Sequence, residues 1–462
     1  MQNKHNHIHI IGIAGVATSA IAIAFHDKGW KVTGSDKGFF PPVSTELEKA
    51  GIAFYAGWHP ENMGIPDMVM TGGGGTSPSN PEVMYAVEKN IPVFSYAEIL
   101  QKYFIKKNSI VVTGTWGKTT TSALLSYIII QAGMDPSYFT GGLSLSHKTG
   151  ALSDTDWSVV EGDEYQVSIS DKRPKFVYYN PTHLLLTSVS WDHADLYPTE
   201  EAYFNEFKNL IKSIPENGVV VACIDDEGVK KVLSERKVIS YGKNAADYTY
   251  QSVEHTKNGL SFTINNHYKI ISPMLGRFNA ENITAAFAMA HSIGIAPEVI
   301  VKAIMDFKGI KRRLEKRLDG EITLLDCHAP TPEKASSVLE SIREVYNKKI
   351  IAVYEPNIGG RQRESSSKYD NAFRKADLVI IPRLTKLKIG EKEMPMNGDE
   401  LASIIGKTNT NVQYMENDEN LVTFLKSEAK LGDVIAFLGS HGFRGMMEET
   451  VLLLTSPRPR SQ

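Results

Sequence analysis

The stretch VVTGTWGKTTT at residues 111–121 has the composition of a phosphate-binding loop. An apolar run leads into Gly114 and Gly117, and a Lys-Thr-Thr sequence follows at the start of a predicted helix. Backbone N–H groups in such a turn point at phosphate oxygens, and the helix N-terminus adds positive potential. The spacing is shorter than in G-x-x-x-x-G-K-[ST], because Val112 stands where that pattern has its first glycine.

The residues after the loop predict how a nucleotide would be held. Lys118 would reach the β- and γ-phosphates, and the Thr119 hydroxyl would bind Mg²⁺. An ordinary strand, turn and helix with an exposed lysine is the alternative. The apolar strand on one side and the threonine-rich helix start on the other favour phosphate binding.

Two further apolar runs end in clusters of polar side chains. WSVVEGDEYQ and HLLLTSVSWDHADLYPT carry Glu161, Asp163, Glu164, Asp192, His193 and Asp195. Ligands bind at the carboxyl ends of parallel strands, so these groups are expected near the loop. Carboxylates suit Mg²⁺, and a neutral imidazole can join them. Together with the loop, the clusters predict metal-assisted phosphoryl chemistry; either cluster alone would be a solvated loop.

Composition excludes several classes of protein. The chain has 462 residues and a formal net charge of −3, so bulk electrostatics do not favour a nucleic-acid partner. Its only cysteines are Cys223 and Cys327, which indicates a reducing cytoplasm, and Cys327 is expected to be a small buried residue rather than a nucleophile. We find no signal-peptide pattern and no apolar run of membrane-spanning length.

Strand-like and helix-like segments alternate almost throughout, which predicts an α/β protein with parallel sheets. HIHIIGI opens a first unit, SIVVTGTWGKTTT opens a second, and a third begins near EITLLDC. The charged stretch 310–320 is predicted to be a linker.

Five motifs resemble those of the muramyl ligases of peptidoglycan synthesis in order and spacing. They are GTWGKTTT, EGDEY, SWDHADLYPTEEAYFNEF, GRFNAENITAAFAMA and IKRRLE. The N-terminal HIIGIAG, GSD and NPEV segments resemble the branch of the family that acts on UDP-N-acetylmuramate. That family has the shortened G-T-x-G-K-T loop, preceded by a separate domain for the UDP-sugar.

The resemblance implies an ATP-dependent ligase with three domains. A Rossmann-like domain over 1–107 would bind the UDP-sugar, a P-loop ATPase-type α/β domain over 108–315 would bind ATP and Mg²⁺, and a Rossmann-like domain over 316–462 would bind the amine and close over ATP. ATP would convert a carboxylate to an acyl phosphate, which an amine would attack to give an amide, ADP and phosphate. The expected setting is cytoplasmic cell-wall biogenesis, cell shape and cell division, with a monomer or homodimer and no nucleic-acid or membrane partner.

The motif matches also imply site residues. Lys118, Glu161 and His193 would be catalytic, and Thr119, Glu161 and His193 would bind the metal ions. Asn279 and Asn282 would lie on the adenine side, and Arg313 would reach the ATP phosphates unless it is one more charge in a solvated linker. The full expected set of ATP contacts is Gly114, Thr115, Gly117, Lys118, Thr119, Thr120, Asn279, Asn282, Arg313 and Asp326.

The first domain has a glycine-poor version of a dinucleotide loop, GIAGVATSA, which by itself is a weak signal. In this family the loop would hold the UDP diphosphate, so Gly12, Gly15 and Asp36 are the expected UDP-sugar residues, with Asp36 facing the uridine. A nicotinamide enzyme is the alternative, and it leaves the loop at 111–121 unexplained.

The chain departs from the family pattern at several positions. Phe278 stands where a histidine is usual, and LLDCHAPTPEKA replaces the usual opening of the third domain, so that His328 or Thr331 would substitute for the missing groups. Lys208 lies where some members carry a carbamylated lysine, but FNEFKNLI also fits an amphipathic helix with a surface lysine.

Two amines suit UDP-N-acetylmuramate in this family. EGDEYQVSISDKRPKFVYY, AVYEPN and GSHGFRGMMEETVLLL resemble the branch that adds L-Ala-γ-D-Glu-meso-diaminopimelate in cell-wall recycling, although Asn357 stands where an arginine is expected and Arg361 and Arg363 lie nearby. Addition of L-alanine and addition of another amine are the alternatives.

A non-catalytic nucleotide-binding relative is an alternative of another class. A folylpolyglutamate synthetase-like ligase would lack the first domain.

Overall fold

The computed structural model describes residues 6–40, 43–72, 77–167, 171–191, 196–233, 236–385 and 395–456. The chain divides into two compact units. The first comprises Met1–Val253, Ser261–Ser272 and Phe278–Lys308, and the second comprises Glu254–Leu260, Pro273–Arg277 and Gly309–Gln462.

The first unit begins with a five-stranded parallel sheet in the order β3-β2-β1-β4-β5, the Rossmann arrangement. Its elements are β1 (His7–Ile11), α1 (Val16–Asp27), β2 (Lys31–Asp36), α2 (Val43–Lys49), β3 (Ala53–Ala56), α3 (Pro60–Met63), β4 (Met68–Thr71), α4 (Pro81–Glu88), β5 (Val93–Ser95) and α5 (Tyr96–Ile99). Strand β1 is buried along its whole length, as expected for a central strand covered on both faces.

The same unit contains a ten-stranded sheet in the order β15-β14-β13-β12-β11-β10-β6-β9-β7-β8. Its elements are β6 (Asn108–Thr113), α6 (Lys118–Gln131), β7 (Ser137–Phe139), β8 (Gly150–Ala151), β9 (Trp157–Gly162), β10 (His183–Leu186), α7 (Glu200–Ser213), β11 (Val219–Cys223), α8 (Glu227–Val232), β12 (Ile239–Gly242), β13 (Tyr248–Thr256), β14 (Gly259–Ile264), β15 (Tyr268–Ser272), α9 (Phe278–Ser292) and α10 (Pro297–Asp306).

Two features of this sheet determine where a ligand can bind. Strand β6 is paired in parallel with β10 on one side and β9 on the other, so the chain crosses over at β6 and leaves a crevice beyond its carboxyl end. Helices α6 and α9 pack against each other, and both are buried on most of their surface. The loop at 114–117 is therefore mounted on rigid, buried elements.

The second unit contains a six-stranded sheet in the order β16-β17-β21-β18-β19-β20, in which only the β16–β17 pair is antiparallel. Its elements are β16 (Glu315–Asp319), β17 (Thr323–Cys327), α11 (Pro332–Val345), β18 (Ile350–Glu355), β19 (Leu378–Pro382), α12 (Gly398–Gly406), β20 (Val412–Met415), α13 (Asp418–Glu428), β21 (Val434–Gly439) and α14 (Met446–Thr455).

The structure confirms the α/β class but corrects the linker prediction. Residues 315–319 of the charged stretch 310–320 form β16 rather than an open linker. An edge strand keeps its side chains partly in water, so a charged sequence is compatible with strand structure there. None of the helices within the described ranges combines the length and apolarity that a bilayer crossing requires.

Candidate functional site

The loop between β6 and α6 has a backbone that only glycine accommodates at two positions. Gly114 has φ of 136°, and a Cβ there would lie 2.3 Å from Thr187 Oγ1. Gly117 has φ of 83° and caps α6, and a Cβ there would lie 2.5 Å from Asn282 Oδ1. Non-glycine residues rarely adopt this left-handed conformation. Both glycines predicted for this loop therefore have a steric reason to be there.

Residues beyond β10 support the loop from one side. Thr115 N donates to Ser188 O at 2.9 Å, and Trp116 N donates to Ser188 Oγ at 2.8 Å. Thr115 Oγ1 also donates to Ser190 O at 3.0 Å. These contacts place Thr115, an expected ATP contact, in the support of the loop.

The start of α6 presents backbone donors to the space beyond the loop. The first hydrogen bond of the helix runs from Thr121 N to Gly117 O, at 3.0 Å. The N–H groups of Lys118, Thr119 and Thr120 precede any helical acceptor, and such groups with the helix dipole attract anions. This arrangement suits phosphate.

Lys118 forms a buried ion pair. Its Nζ lies 2.8 Å from Glu164 Oε2, with the two side chains only 13% and 3% exposed, and it also donates to Gly114 O at 2.6 Å. The ammonium thus lies over its own loop and is neutralised by Glu164. The sequence placed Glu164 in a polar cluster but gave no signal that it would be the partner of Lys118.

Glu161 lies beside the loop because β9 runs parallel to β6 and pairs it with Val112. Its carboxylate accepts from Thr119 Oγ1 at 3.0 Å, from Gly141 N at 2.7 Å and from Ser122 Oγ at 3.4 Å. Burial raises the pKa of Glu161 above its ordinary value. The charge of Lys118 and the hydrogen bonds from Gly141 N and Thr119 oppose this effect and only partly offset it.

The donor set at Glu161 is suited to a divalent cation. A partly exposed carboxylate with a hydroxyl at hydrogen-bond distance provides the hard oxygen ligands that Mg²⁺ prefers. Within the described ranges, no three His, Cys, Asp or Glu side chains converge on a common metal position. Of the three predicted metal ligands, the structure describes Thr119 and Glu161, which lie side by side. The third, His193, lies outside the described residues, as do Asp192 and Asp195.

A second lysine stands next to these carboxylates. Lys175 Nζ lies 2.5 Å from Asp163 Oδ2 and faces the rings of Tyr96 and Tyr165. Burial alone would raise the pKa of Asp163, but Lys175, Lys118 and the hydrogen bond from Tyr165 N together lower it below its ordinary value. Asp163 is therefore charge-paired, whereas Glu161 has no cation at ion-pair distance among the described residues.

Helix α9 brings the predicted asparagines to the loop. Asn282 Oδ1 accepts from Thr121 Oγ1 at 3.4 Å, and Asn282 Nδ2 donates to Asn279 Oδ1 at 3.0 Å. Both asparagines are buried, while Phe278, one turn before Asn282, is 48% exposed. Asn282 thus lies against Gly117, and Asn279 lies behind it.

The predicted residues of the first domain line one cavity of about 620 Å³. It lies at the carboxyl edge of β1 and β2, and its walls include Gly12, Gly15, Val16, Ala17, Thr18, Asp36, Lys37, Trp58, Gly72, Ser77, Ser79, Asn80 and Pro81. Asp36 Oδ2 accepts from Ala14 N at 2.9 Å, so this carboxylate also fixes the glycine loop. The contributions of Trp58, Gly72 and Asn80 were not foreseen from the sequence.

The two adjacent arginines of the second unit differ in environment. The Arg312 guanidinium donates to the carbonyls of Gly439, Ser440 and His441 and to Asp326 Oδ1, the last at 3.2 Å. Asp326 is an expected ATP contact. Burial raises its pKa above the ordinary value, and the opposing effect of Arg312 offsets this only in part. The predicted Arg313 is exposed, and so is His328.

The remaining predicted residues occupy ordinary positions. Thr331 caps α11 by accepting from Lys334 N at 3.4 Å. Cys327 is a buried free thiol, as expected. Lys208 is half-buried on α7, and its carbamylation remains a prediction.

Family models match most of the chain. The model described as Mur ligase family, catalytic domain, matches residues 7–107; Mur ligase middle domain matches 112–290; and Mur ligase, glutamate ligase domain, matches 312–441. The chain belongs to the Mur ligase family.

Individual Mur ligases resemble this chain over nearly their full length. UDP-N-acetylmuramate–L-alanine ligase of Brachyspira hyodysenteriae is 31% identical over 456 residues, 94% of this chain and 95% of the relative. UDP-N-acetylmuramate–L-alanyl-γ-D-glutamyl-meso-2,6-diaminoheptandioate ligase of Haemophilus influenzae is 29% identical over 455 residues, 96% and 98% of the two chains. The crystal structure of UDP-N-acetylmuramate–alanine ligase from Thermotoga maritima superimposes with a TM-score of 0.80 at 21% identity, covering 97% of this chain and 99% of that one.

Membership confirms the predicted three-domain α/β architecture. Mur ligases are ATP-dependent, ADP-forming amide ligases, so this Mur ligase is an enzyme of that class. The domain boundaries at 107 and 315 and the individual site residues remain predictions.

Replacing Gly117 by alanine should damage nucleotide binding specifically. The new Cβ would meet Asn282 Oδ1 at 2.5 Å in a left-handed backbone, so the loop must shift. We expect turnover to fall about 100-fold, as for a misplacement of about 1 Å in a catalytic site. Gly133→Ala is the matched control, since Gly133 follows the other end of α6 at φ of 75° with open space around it. It should cost about 1 kcal/mol of stability and leave turnover unchanged; equal loss of turnover in both variants would contradict a steric role for Gly117.

Replacing Glu161 by glutamine should abolish turnover and change how the stability of the ligand-free protein depends on pH. Because burial raises the folded-state pKa of Glu161, its ionisation destabilises the fold as the pH rises through that pKa. The acceptor that the amide lacks costs stability at every pH, so the test is the trend: relative to the wild type, the melting temperature of Glu161→Gln should rise between acid and neutral pH. Glu164→Gln should lower the melting temperature at neutral pH, because it breaks the ion pair with Lys118. A melting temperature of Glu161→Gln that falls relative to the wild type between acid and neutral pH would refute this electrostatic assignment.

Proposed function

We propose that this chain joins the carboxylate of UDP-N-acetylmuramate to the amine of L-Ala-γ-D-Glu-meso-diaminopimelate, using ATP and Mg²⁺. The observation that carries the proposal is the grouping of Lys118, Thr119 and Glu161 around the start of α6, in the same compact unit as the 620 Å³ cavity. One part can hold a triphosphate, and the other can hold a sugar nucleotide.

The donor substrate would lie in that cavity. Gly12 has φ of 87°, and a Cβ added to it would lie 3.5 Å from Gly72 Cα, so two glycines leave bare backbone in the wall at this point, as diphosphate binding requires. Asp36 at the end of β2 stands where such folds bind the ribose. Gly12, Gly15 and Asp36 are accordingly proposed as UDP-sugar residues.

The reaction would begin with attack of a donor carboxylate oxygen on the γ-phosphorus, with cleavage of its bond to ADP. Lys118 would leave Glu164 and hold the transferring phosphoryl group, while the free N–H groups at the start of α6 bind phosphate oxygens. The positive charge of Lys118 also reduces the repulsion between the two anions that must meet.

The amine then attacks the carbonyl carbon of the acyl phosphate, phosphate leaves, and the nitrogen loses a proton. Thr119, Glu161 and His193 are the residues proposed to hold Mg²⁺, which when bound screens the phosphate charge. Asn279, Asn282, Arg313 and Asp326 are proposed as further ATP contacts, on the strength of their motif positions.

A basic edge in the second unit supports a peptide amine. Arg361, Arg383 and Arg444 follow the carboxyl ends of β18, β19 and β21, where ligands of such sheets bind. Arg361 Nη1 donates to Thr385 O at 2.9 Å and is partly buried, whereas Arg363 forms an exposed pair with Glu400. Arg361 is therefore the better substitute for the arginine that the sequence lacks at Asn357.

The tripeptide carries three carboxylates, and L-alanine carries one, so a basic edge suits the tripeptide better. Arg383 and Arg444 are ion-paired with Asp418, and Arg444 also with Glu355, so the support comes mainly from Arg361, which donates to the carbonyls of Thr385 and Met396. L-Alanine is the second candidate, because relatives at 30–31% identity are named L-alanine ligases. The reaction is placed in the cytoplasm, with small-molecule substrates only; this too is part of the proposal.

An amine panel tests the proposal directly. With purified chain, ATP, Mg²⁺ and UDP-N-acetylmuramate, we expect ADP release with the tripeptide at a rate at least tenfold above that with L-alanine. Faster release with L-alanine would select the second candidate. Absence of ADP with every amine would contradict the proposed ligase reaction.

Replacing Lys118 by alanine should separate the two nucleotide sites. Turnover should be abolished, because the γ-phosphoryl group loses its cation, while the affinity for UDP-N-acetylmuramate, measured calorimetrically, should stay within about twofold. Lys175→Ala offers a comparison in which a neighbouring partly buried, ion-paired lysine is removed without touching the loop. Loss of UDP-sugar affinity in Lys118→Ala equal to its loss of ATP affinity would contradict the assignment of the sites.

A further inference from the structure

A buried carboxylate stands behind the wall of the nucleotide cavity. Glu82, in the first turn of α4, has no solvent exposure. Its Oε2 accepts from Ser35 Oγ, and its Oε1 accepts from Tyr55 OH and from His59 N, both at 2.9 Å. His9 Nε2 lies 3.5 Å from Oε2. One carboxylate thus joins β1, β2, β3 and the segment after β3 to α4.

The partners of Glu82 are neighbours of cavity-lining residues. Ser35 precedes Asp36 in β2, and His59 follows Trp58. Glu82 itself follows Asn80 and Pro81, and its N–H donates to Asn80 Oδ1 at 2.9 Å. The hydrogen bonds of one side chain therefore connect three separate stretches of the cavity wall.

The chemistry of these bonds requires an ionised carboxylate. Ser35, Tyr55 and His59 N all act as donors, and an ionised carboxylate offers acceptor sites on both oxygens, whereas an amide offers only one acceptor atom. Burial alone would raise the pKa of Glu82, but the nearby His9 ring and the hydrogen bonds from Ser35, His59 N and Tyr55 lower it overall. The group is therefore ionised at neutral pH.

A buried charge costs free energy that an apolar side chain of similar size would not. Its retention is explained if the geometry it enforces is needed. Glu82 is fully buried and does not line the cavity, so a ligand there would contact its neighbours Asp36, Trp58 and Asn80 and not Glu82 itself.

We propose that Glu82 is a positioning residue for sugar-nucleotide binding, which holds Asp36, Trp58 and Asn80 in the arrangement that the nucleotide requires. This inference rests on the proposed function, since it takes the cavity to be the UDP-N-acetylmuramate site. It assigns to the first domain a determinant of affinity that does not itself touch the ligand.

Calorimetric titration of the full chain with UDP-N-acetylmuramate tests the role. Glu82→Gln keeps the size of the side chain but removes one acceptor, and we expect its affinity for the sugar nucleotide to fall 10- to 100-fold. The KM for ATP and kcat at saturating sugar nucleotide should remain within about twofold. Tyr55→Phe and Ser35→Ala each remove one donor with little change of volume, so each should give a smaller loss of the same kind.

Glu98→Gln is the matched control. Glu98 lies in the same domain and accepts from Ser95 N and Ser95 Oγ, both at 2.7 Å, but neither Glu98 nor Ser95 lines the cavity. It should lower the melting temperature without changing sugar-nucleotide affinity.

The outcomes are distinct. Weaker sugar-nucleotide binding in Tyr55→Phe and Glu82→Gln, with unchanged ATP kinetics, supports the role, and Tyr55→Phe keeps the test valid if Glu82→Gln fails to fold. A fall in melting temperature with unchanged affinity shows that Glu82 is merely structural and overturns the inference while the proposed function stands. A wild-type chain that does not bind UDP-N-acetylmuramate overturns the proposed function and the inference together.

Discussion

The start of α6 is the constraint on which the central site depends. Gly117 turns the chain in a left-handed conformation directly before Lys118, and this single turn directs three backbone N–H groups, an ammonium and a threonine hydroxyl into one space. Lys118 is neutralised by Glu164 and Lys175 by Asp163, whereas Glu161 has no cation at ion-pair distance among the described residues. A divalent cation would supply the counter-charge of Glu161, and a bound phosphate would compete with Glu164 for Lys118.

The first domain has a similar glycine turn between a strand and a helix, but without a lysine at the start of the helix. There too a strand runs through a glycine turn into a helix, with Gly12 in the left-handed region and Gly15 capping α1. The loop amide of Ala14 is held by the Asp36 carboxylate, and no lysine follows the turn. Under the proposed function, a loop without its own cation would suit a diphosphate that is held and not transferred, and Lys118 of the loop at 114–117 would serve the transfer. Both loops lie in one compact unit, as a reaction between their ligands would need.

The sequence predicted those features that depend on local pattern. The phosphate loop, its two glycines and the strand-end position of Glu161 follow from spacing and from the rule that parallel strands present their carboxyl ends on one edge. The non-local pairings could not be read in the same way. Lys118 and Glu164 are 46 residues apart, and the partners of Glu82 come from four different segments. The edge strand β16 was missed because a half-exposed strand can be as charged as a linker.

The central claim is that the donor carboxylate attacks the γ-phosphorus of ATP before the amine reacts. Transfer of oxygen from substrate to phosphate measures this step most directly. UDP-N-acetylmuramate labelled with ¹⁸O in its carboxylate would be turned over with ATP and the accepted amine, and the released phosphate analysed by mass spectrometry. One labelled oxygen should appear in phosphate for each amide formed, because the donor carboxylate oxygen leaves with the phosphoryl group. Phosphate free of label, alongside amide product, would contradict it.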